Sequence, residues 1–387
     1  MSMEQDNSEI NKLRGEIDGI DNELIQLFEK RMEASMKIAR YKGANRMPVR
    51  DGLRERELIH RVSGLVKPEL EGYVGMLYNT ILSMSRSYQN RYLLSPTPLA
   101  QAIQEAVNKK PVAFPSKAVV ACQGSEGAYA QSACDKLFDM PSIMYFKTFE
   151  GVFQAVDKGM CQFGVLPLEN NTAGSVNSVY NLLSKYNFYI VKSTGLRIDH
   201  TLIAPRGTML SDVREVFSHE QALTQCSHFL ETLGEVKLTP CLNTAIAAEL
   251  VANSGRKDVA AIASSYCAEL YNLSVLSYHV QNNENNRTRF ICISKDLMIY
   301  PGADKSSLTL TLPHRPGALY DIMARFNALG INLLKLESRT IPGRDFEFMF
   351  YFDIEASIYS PEFVMLICEL EQEVEQFRYL GSYIEMS

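Results

Sequence analysis

The first forty residues constrain this chain more than any other stretch. From Glu9 to about Lys42 the apolar positions Ile10, Leu13, Ile17, Ile20, Leu24, Leu27, Phe28, Met32, Ile38 and Ala39 recur at intervals of three or four, the period of one helix face. The pattern predicts a single helix roughly 45–50 Å long at 1.5 Å per residue. Such a helix overhangs any globule that the neighbouring residues can build. Its apolar stripe is therefore expected to be covered by a coiled coil or an interlocked oligomer. Gly43, Asn45 and Pro48 end it; a second helix is predicted over about 51–65 and a third from Pro68 to about Tyr92.

The remainder changes texture twice. With 387 residues, two or three domains are expected. Residues 1–92 form the helical part, and 93–116, with Ser-Pro-Thr-Pro early and Lys-Lys-Pro late, read as a linker with one helical stretch. From Lys117 to about 296, short apolar strands (Ala118–Cys122, Phe163–Pro167, Tyr189–Thr194, Thr201–Ala204, Val259–Ala263, Arg289–Ser294) alternate with amphipathic helices, among them one over Ala222–Leu233. That alternation implies an α/β domain with ligands at the carboxyl ends of strands. Residues 297–387 follow a β-α-β-β-α-β order, a ferredoxin-like layout, with its third strand over Glu347–Asp353.

Several function classes are disfavoured. The net charge of −6 gives no pull toward nucleic acid or anionic membranes. No apolar run approaches the roughly 18–20 residues of a transmembrane helix, and the acidic, polar start does not read as a secretory signal. The eight cysteines are scattered without a C-x-x-C pair, as expected for reduced thiols of a cytoplasmic protein. Six dispersed histidines suggest no metal site, and no cofactor is expected.

Within the helical part, Arg14, Arg31, Lys42, Asp51, Arg54, Glu55, Ser85 and Gln89 stand out. Taken singly, each is compatible with a solvated i,i+4 pair. Arg31 and Lys42 share a helix face, whereas Arg14 is about 100° round from Arg31. One helix cannot aim all three at one ligand; two helices from different subunits can. The whole pattern, Leu13-Arg14 through Ile17-Asp18, Asp21, Leu24, Leu27, Arg31 and Lys42 to Pro48-Val49-Arg50-Asp51, Arg54-Glu55, Ser85 and Gln89, resembles the all-α chorismate mutase family. The resemblance implies an intertwined homodimer whose first helix spans both sites. It further implies Arg14 from the neighbouring subunit and Arg31 on the substrate carboxylates, Lys42 and Gln89 on the breaking ether oxygen, and Glu55 on the ring hydroxyl. Asp51, Arg54 and Ser85 would complete the pocket.

Four segments mark the α/β part: Gly124-Ser125-Glu126-Gly127-Ala128-Tyr129, Glu169-Asn170-Asn171-Thr172-Ala173-Gly174, Ser218-His219-Glu220-Gln221-Ala222-Leu223-Thr224-Gln225-Cys226, and Thr288-Arg289-Phe290. Individually the first is a glycine turn and the third a helix cap. In this order they resemble the prephenate dehydratase family, which implies two lobes like a periplasmic binding protein with the site between them. By that resemblance Thr288 assists departure of the substrate hydroxyl, and Glu169 is a candidate to polarise it. Arg289 would pair with a carboxylate, and Asn170, Ser218 and Gln225 would orient the substrate. Ala128, Ala130 and Asn171 depart from the hydroxyl residues usual there, and Glu220 from a frequent proline. Because both substrates are dianions, a few placed Arg and Lys are expected to serve each pocket. The departures leave arogenate, the amino analogue of prephenate, open as an alternative substrate. A carboxylate sensor without catalysis is a second alternative, in which Thr288 would be dispensable.

In the last part, Pro316-Gly317-Ala318-Leu319 and Glu337-Ser338-Arg339-Thr340 resemble the two motifs of the ACT domain attached to prephenate dehydratases. Thr340 departs from the usual proline. The resemblance implies phenylalanine bound by Gly317, Ala318, Leu319, Glu337, Ser338 and Arg339 as a feedback ligand. As a whole the chain resembles the bifunctional P-protein family of bacterial phenylalanine biosynthesis.

Overall fold

The computed structural model describes residues 2–45, 47–49, 51–93, 96–109, 113–341, 348–356 and 358–386. Arg50 of the helical motif and Glu347, the expected start of a strand, lie outside the described residues. The chain divides into two compact units. One comprises Met1–Gln101, Leu312–Gly330 and Val364–Glu375; the other comprises Ala102–Thr311, Ile331–Phe363 and Gln376–Ser387.

The first unit holds α1 (Ser2–Ala44), α2 (Gly52–Ser63) and α3 (Glu71–Leu93). At 43 residues α1 is longer than the periodicity predicts. The Asp51 carboxylate starts α2 by accepting from the Arg54 backbone N–H at 3.0 Å, and Gly64 closes it. Helices α1 and α3 pack together near the C-terminal end of α1, where Ser35, Met36 and Ala39 are buried, as are Ser85, Gln89 and Asn90 of α3. Toward its N-terminal end the apolar stripe of α1 is bare: Leu13, Ile17 and Leu24 are each more than half exposed, at 53%, 55% and 54%. The helix Ala318–Ala328 also belongs to this unit, and Ser87 of α3 donates to Glu369 at 3.0 Å.

The second unit contains three sheets. Their strands are β1 (Lys117–Gln123), β2 (Met140–Phe146), β3 (Phe163–Asn170), β4 (Gly174–Ser175), β5 (Tyr189–Arg197), β6 (Thr201–Ala204), β7 (Glu215–His219), β8 (Lys237–Cys241), β9 (Val259–Ala263), β10 (Ser274–Ser277), β11 (Arg287–Ser294), β12 (Lys305–Leu312), β13 (Asn332–Thr340), β14 (Phe348–Glu355), β15 (Gln376–Tyr383) and β16 (Glu385–Met386). A seven-stranded sheet runs β16-β5-β11-β3-β1-β2, with β4 on β3, and a five-stranded sheet runs β10-β6-β9-β7-β8. These make two α/β lobes, because the chain leaves the first sheet after β5 and returns to it only at β11. The lobe cores are apolar: Val152, Phe153, Leu166 and Leu183 contribute to the first, Ile203, Val251, Val259 and Ala261 to the second.

Strands β2 and β8 escape the sequence pattern because each is an edge strand carrying a proline, Pro141 and Pro240. The helix expected over Ala222–Leu233 is two short helices, Glu220–Gln225 and Ser227–Thr232, broken at Cys226. The third sheet runs β13-β14-β12-β15, and the chain order strand, helix, strand, strand, helix, strand is the expected one. Gly381 in β15 has φ +125°, and a Cβ there would lie 2.2 Å from the Ile190 carbonyl oxygen of β5. Only glycine permits that approach.

Candidate active sites

Around the packed ends of α1 and α3, the Ser85 hydroxyl donates to Ser35 Oγ at 2.8 Å and Gln89 Nε2 donates to Ser85 Oγ at 3.2 Å. Lys42 Nζ, from the last turn of α1, donates to the Val49 carbonyl at 2.6 Å. Among the described residues here, three buried polar atoms have no protein partner: Arg31 Nη1, Arg86 Nε and Gln89 Oε1. Burial lowers the Arg31 pKa from its usual value, so a carboxylate partner for this guanidinium would be strongly favoured. Glu55 instead holds a protein cation, Arg86 Nη1 at 2.7 Å. Arg86 was not marked by the sequence; its only signal is that it follows Ser85. Asp51 is spent on the cap of α2, and Arg54 is exposed beside Glu57 at 3.5 Å. Arg14 is exposed and reaches only Asn11. It stands 17 residues from Arg31 on one straight helix, roughly 25 Å along the axis. A single copy cannot bring these two arginines to one small ligand.

In the second unit a cavity of about 470 Å³ opens between the lobes, lined by Asn170, Thr288, Gln225 and Tyr129 among others. Antiparallel pairing of β3 with β11 sets Asn170 opposite Thr288 and Glu169 opposite Arg289. Side chains alternate along a strand, so the first pair faces the cavity and the second faces away. Asn170 Nδ2 donates to Thr288 Oγ1 at 2.8 Å and to Asn286 Oδ1 at 2.7 Å. Asn170 Oδ1 accepts from Thr172 Oγ1 at 2.5 Å and from the Thr172 and Ala173 backbone N–H groups. Thr288 thus accepts through its oxygen and keeps its own O–H to donate.

Three sequence expectations need correction. Glu169 does not approach the Thr288 hydroxyl; it binds Arg289 at 3.0 Å and Lys335 on the opposite face of the strand. The side chain beside that hydroxyl is Asn170 instead. Arg289 does not line the cavity either: its guanidinium lies 2.6 Å from Asp353 and bonds Tyr383. Burial alone depresses its pKa, but Tyr383, Asp353 and Glu169 more than offset this and raise it. Ser218 is fully buried and donates to the Ile262 carbonyl at 2.7 Å, inside the second lobe, while His219 and Gln221 take its place on the wall.

No Lys, Arg, Asp or Glu is found among the described residues lining the cavity. The helices Tyr129–Leu137, Phe149–Asp157, Glu220–Gln225 and Thr244–Asn253 all begin at the wall, and helix N-termini attract anions through free N–H groups and the dipole. The expectation of placed cations is not met among these lining residues.

His200, unmarked by the sequence except as a lone Asp-His pair after a strand, is 2% exposed and lines the cavity. Its Nε2 is 3.1 Å from Gln225 Oε1, and Nδ1 is 3.4 Å from Tyr129 OH, which donates to the Asp199 carbonyl at 2.5 Å. Burial pushes the His200 pKa down, against the raising effects of Gln225 and Asp199.

The residues expected to bind phenylalanine belong to both units. Gly317, at φ +82°, starts the helix Ala318–Ala328. Glu337 and Arg339 of β13 bond each other at 2.7 Å on one face, and Glu337 also accepts from Ser175; Ser338 faces out. Lys335, bonded to Glu169, Ser175 and Tyr180, was not anticipated.

Comparison with known proteins gives two family matches: chorismate mutase type II over residues 13–90 and prephenate dehydratase over residues 120–297. A bifunctional chorismate mutase/prephenate dehydratase of Enterobacter agglomerans is 30% identical over 379 residues, 96% of this chain and 95% of the relative. Arogenate dehydratase 2 of Petunia hybrida is 34% identical over 306 residues, 75% of this chain and 77% of the relative. Among solved structures, the prephenate dehydratase of Arthrobacter aurescens in complex with L-phenylalanine matches with TM-score 0.62 and 25% identity, over 68% of this chain and 89% of that one.

Proposed function

The chain belongs to the bifunctional chorismate mutase/prephenate dehydratase family, and from that premise we propose how its residues divide two reactions of phenylalanine biosynthesis. It rearranges chorismate to prephenate in the helical part and converts prephenate to phenylpyruvate in the two-lobed part. The rearrangement needs no nucleophile; the enzyme holds the folded dianion and stabilises charge on the ether oxygen. Arg31 takes a carboxylate, Gln89 and Lys42 face the ether oxygen, and Arg14 arrives from a second copy. The bare stripe of α1 and the distance between the two arginines support the homodimer. Glu55 meets the ring hydroxyl while held by Arg86. Asp51, Arg54 and Ser85 act by shaping the walls.

In the dehydratase step, the ring C–C bond to the carboxylate breaks and CO₂ departs. Its electron pair completes the aromatic ring as the C–O bond breaks. Hydroxide leaves while accepting a hydrogen bond from Thr288, and a proton from solvent turns it into water. The observation that carries this reading is the 2.8 Å bond from Asn170 into Thr288 Oγ1, which polarises the hydroxyl toward donation. Backbone dipoles suit this chemistry, because a full cation on the departing carboxylate would hold back the charge that must flow into the ring. Gln225 orients the substrate with Asn170, while Ser218, Glu169 and Arg289 support the walls from behind. Arogenate carries an ammonium where prephenate has a keto group, and the described cavity wall offers it no carboxylate. Prephenate is the better fit.

The C-terminal β-α-β-β-α-β part is an ACT domain that binds phenylalanine as a feedback inhibitor, with Gly317, Ala318 and Leu319 at a helix start and Glu337, Ser338 and Arg339 on a strand. Inhibition requires that phenylalanine bind a less active state more tightly. The eight free cysteines fit a reducing cytoplasm, and no described helix is long and apolar enough to cross a membrane. A coupled assay from chorismate, with and without phenylalanine, tests the whole reading. Phenylpyruvate must form, Thr288→Ala must abolish it while sparing prephenate formation, and phenylalanine must slow it. Full turnover by Thr288→Ala, or indifference to millimolar phenylalanine, sinks the corresponding part.

A further inference from the structure

A directed chain of hydrogen bonds runs through the dehydratase cavity and ends on Thr288. The His200 ring lies 3.1 Å from Gln225 Oε1, which also accepts from Asn286 Nδ2 at 3.0 Å. With Oε1 facing two donors, the other side of the amide must donate, and Gln225 Nε2 does so to Thr172 Oγ1 at 3.3 Å. Thr172 Oγ1 donates to Asn170 Oδ1 at 2.5 Å, and Asn170 Nδ2 donates to Thr288 Oγ1 at 2.8 Å. Read from His200, every link donates forward.

The tautomer follows from the partners. Gln225 Oε1 is an acceptor, so His200 Nε2 carries the proton. Nδ1 then faces Tyr129 OH, whose own proton goes to the Asp199 carbonyl. The acidic group near the ring is Asp199, which binds Arg197 at 3.0 Å and Gln281 at 3.0 Å. Gln281 in turn accepts from the His200 backbone N–H at 2.9 Å, fixing the residue at the crossing between lobes. Chains in which each group donates to the next polarise one another, by about 10–30% per bond.

We propose that His200 and Thr172 are positioning residues for the dehydratase reaction: through Gln225 and Asn170 they orient and polarise the Thr288 hydroxyl toward the departing hydroxide. The inference rests on Thr288 acting as proposed above. Gln225 belongs to a helix of the second lobe and Thr172 follows a strand of the first. The Gln225–Thr172 bond therefore bridges the lobes, and polarisation is complete only while that bridge holds.

The test uses the full-length chain with supplied prephenate. His200→Ala and Thr172→Val are each expected to lower dehydratase kcat about tenfold with KM changed less than about twofold, the signature of an interaction made in the transition state. Because both act along one chain, the double variant is expected to lose no more than the worse single one. His200→Gln, which restores an N–H donor toward Gln225, is expected to recover most of the rate. Nitrogen-15 spectra should show His200 neutral and protonated at Nε2. Losses that multiply to about a hundredfold in the double variant overturn the chain as the means of coupling. Unchanged kcat in Thr172→Val overturns the proposal even where His200→Ala fails to fold, and the thermal transition of the two-lobed part, measured on the same samples, reports folding. A wild-type chain inert toward prephenate would instead overturn the dehydratase reading itself.

Discussion

The Arg289 guanidinium lies 2.6 Å from the Asp353 carboxylate, joining β11 of the first lobe to β14 of the C-terminal sheet. Both side chains are largely buried, at 14% and 9% exposure. Asp353 also accepts from Ser307 at 2.5 Å. One residue before Arg289 in the same strand, Thr288 faces the cavity. Removing one partner of a buried pair leaves an uncompensated charge, which costs about 3–5 kcal/mol. Asp353→Ala is therefore expected to lower the melting temperature of the dehydratase transition by several degrees and to reduce dehydratase turnover more than mutase turnover. An unchanged melting curve would show that Glu169 and Tyr383 suffice for Arg289.

How much of this was legible beforehand depends on the residue. The long helix, the α/β alternation and the β-α-β-β-α-β order follow from periodicity, and the structure shows all three. The side of the strand taken by Glu169 was also readable, since 169 and 170 must face opposite ways. Arg289 and Ser218 were misplaced because a motif gives order along the chain and not direction in space. His200 and Lys335 carry no local pattern. Each acquires its meaning from partners distant in sequence, such as Gln225 and Glu169.

Substitution of Lys42 is expected to separate the two activities. Its ammonium stands at the end of α1, 2.6 Å from the Val49 carbonyl, and neither it nor Val49 belongs to the second unit. If it stabilises the ether oxygen, Lys42→Ala should reduce the mutase rate by about 10²–10³-fold, the scale of losing one preorganised donor. Dehydration of supplied prephenate should stay at the wild-type rate. Following chorismate loss and phenylpyruvate formation separately decides it; a parallel fall in both would show that the two sites are not independent.

Acid should weaken the two-lobed part in two windows. Burial lowers the folded pKa of His200 below its usual 6.5, so the unfolded chain binds the proton first. Stability is then full above about pH 6.5 and declines as pH falls below it. Hydrogen bonds from Lys237, Thr239 and Arg256 hold the Glu215 carboxyl down to about 2. Its contribution is present above the unfolded value of 4.5 and is lost as pH falls from there toward about 2. Denaturant midpoints measured from pH 8 to 3 should fall in both windows. Glu215→Gln should flatten the lower one and leave the upper; equal slopes in variant and wild type would remove Glu215 as the cause.

Arg14 and Arg31 offer a test of the shared mutase site that needs no structure of the dimer. Each single variant, Arg14→Ala or Arg31→Ala, should lose nearly all mutase activity, because both of its sites lack one arginine. When the two inactive proteins are unfolded together and refolded, half of the dimers are mixed. In a mixed dimer one site receives Arg14 from one copy and Arg31 from the other, both intact, while the second site lacks both. Recovered activity should therefore approach about a quarter of wild type for a two-fold dimer with random pairing. Wild-type chain carried through the same unfolding and refolding serves as the standard for recovered mutase activity. If mixing restores nothing while each protein refolds, Arg14 does not complete the Arg31 site from a second copy, and its role in the mutase reaction falls.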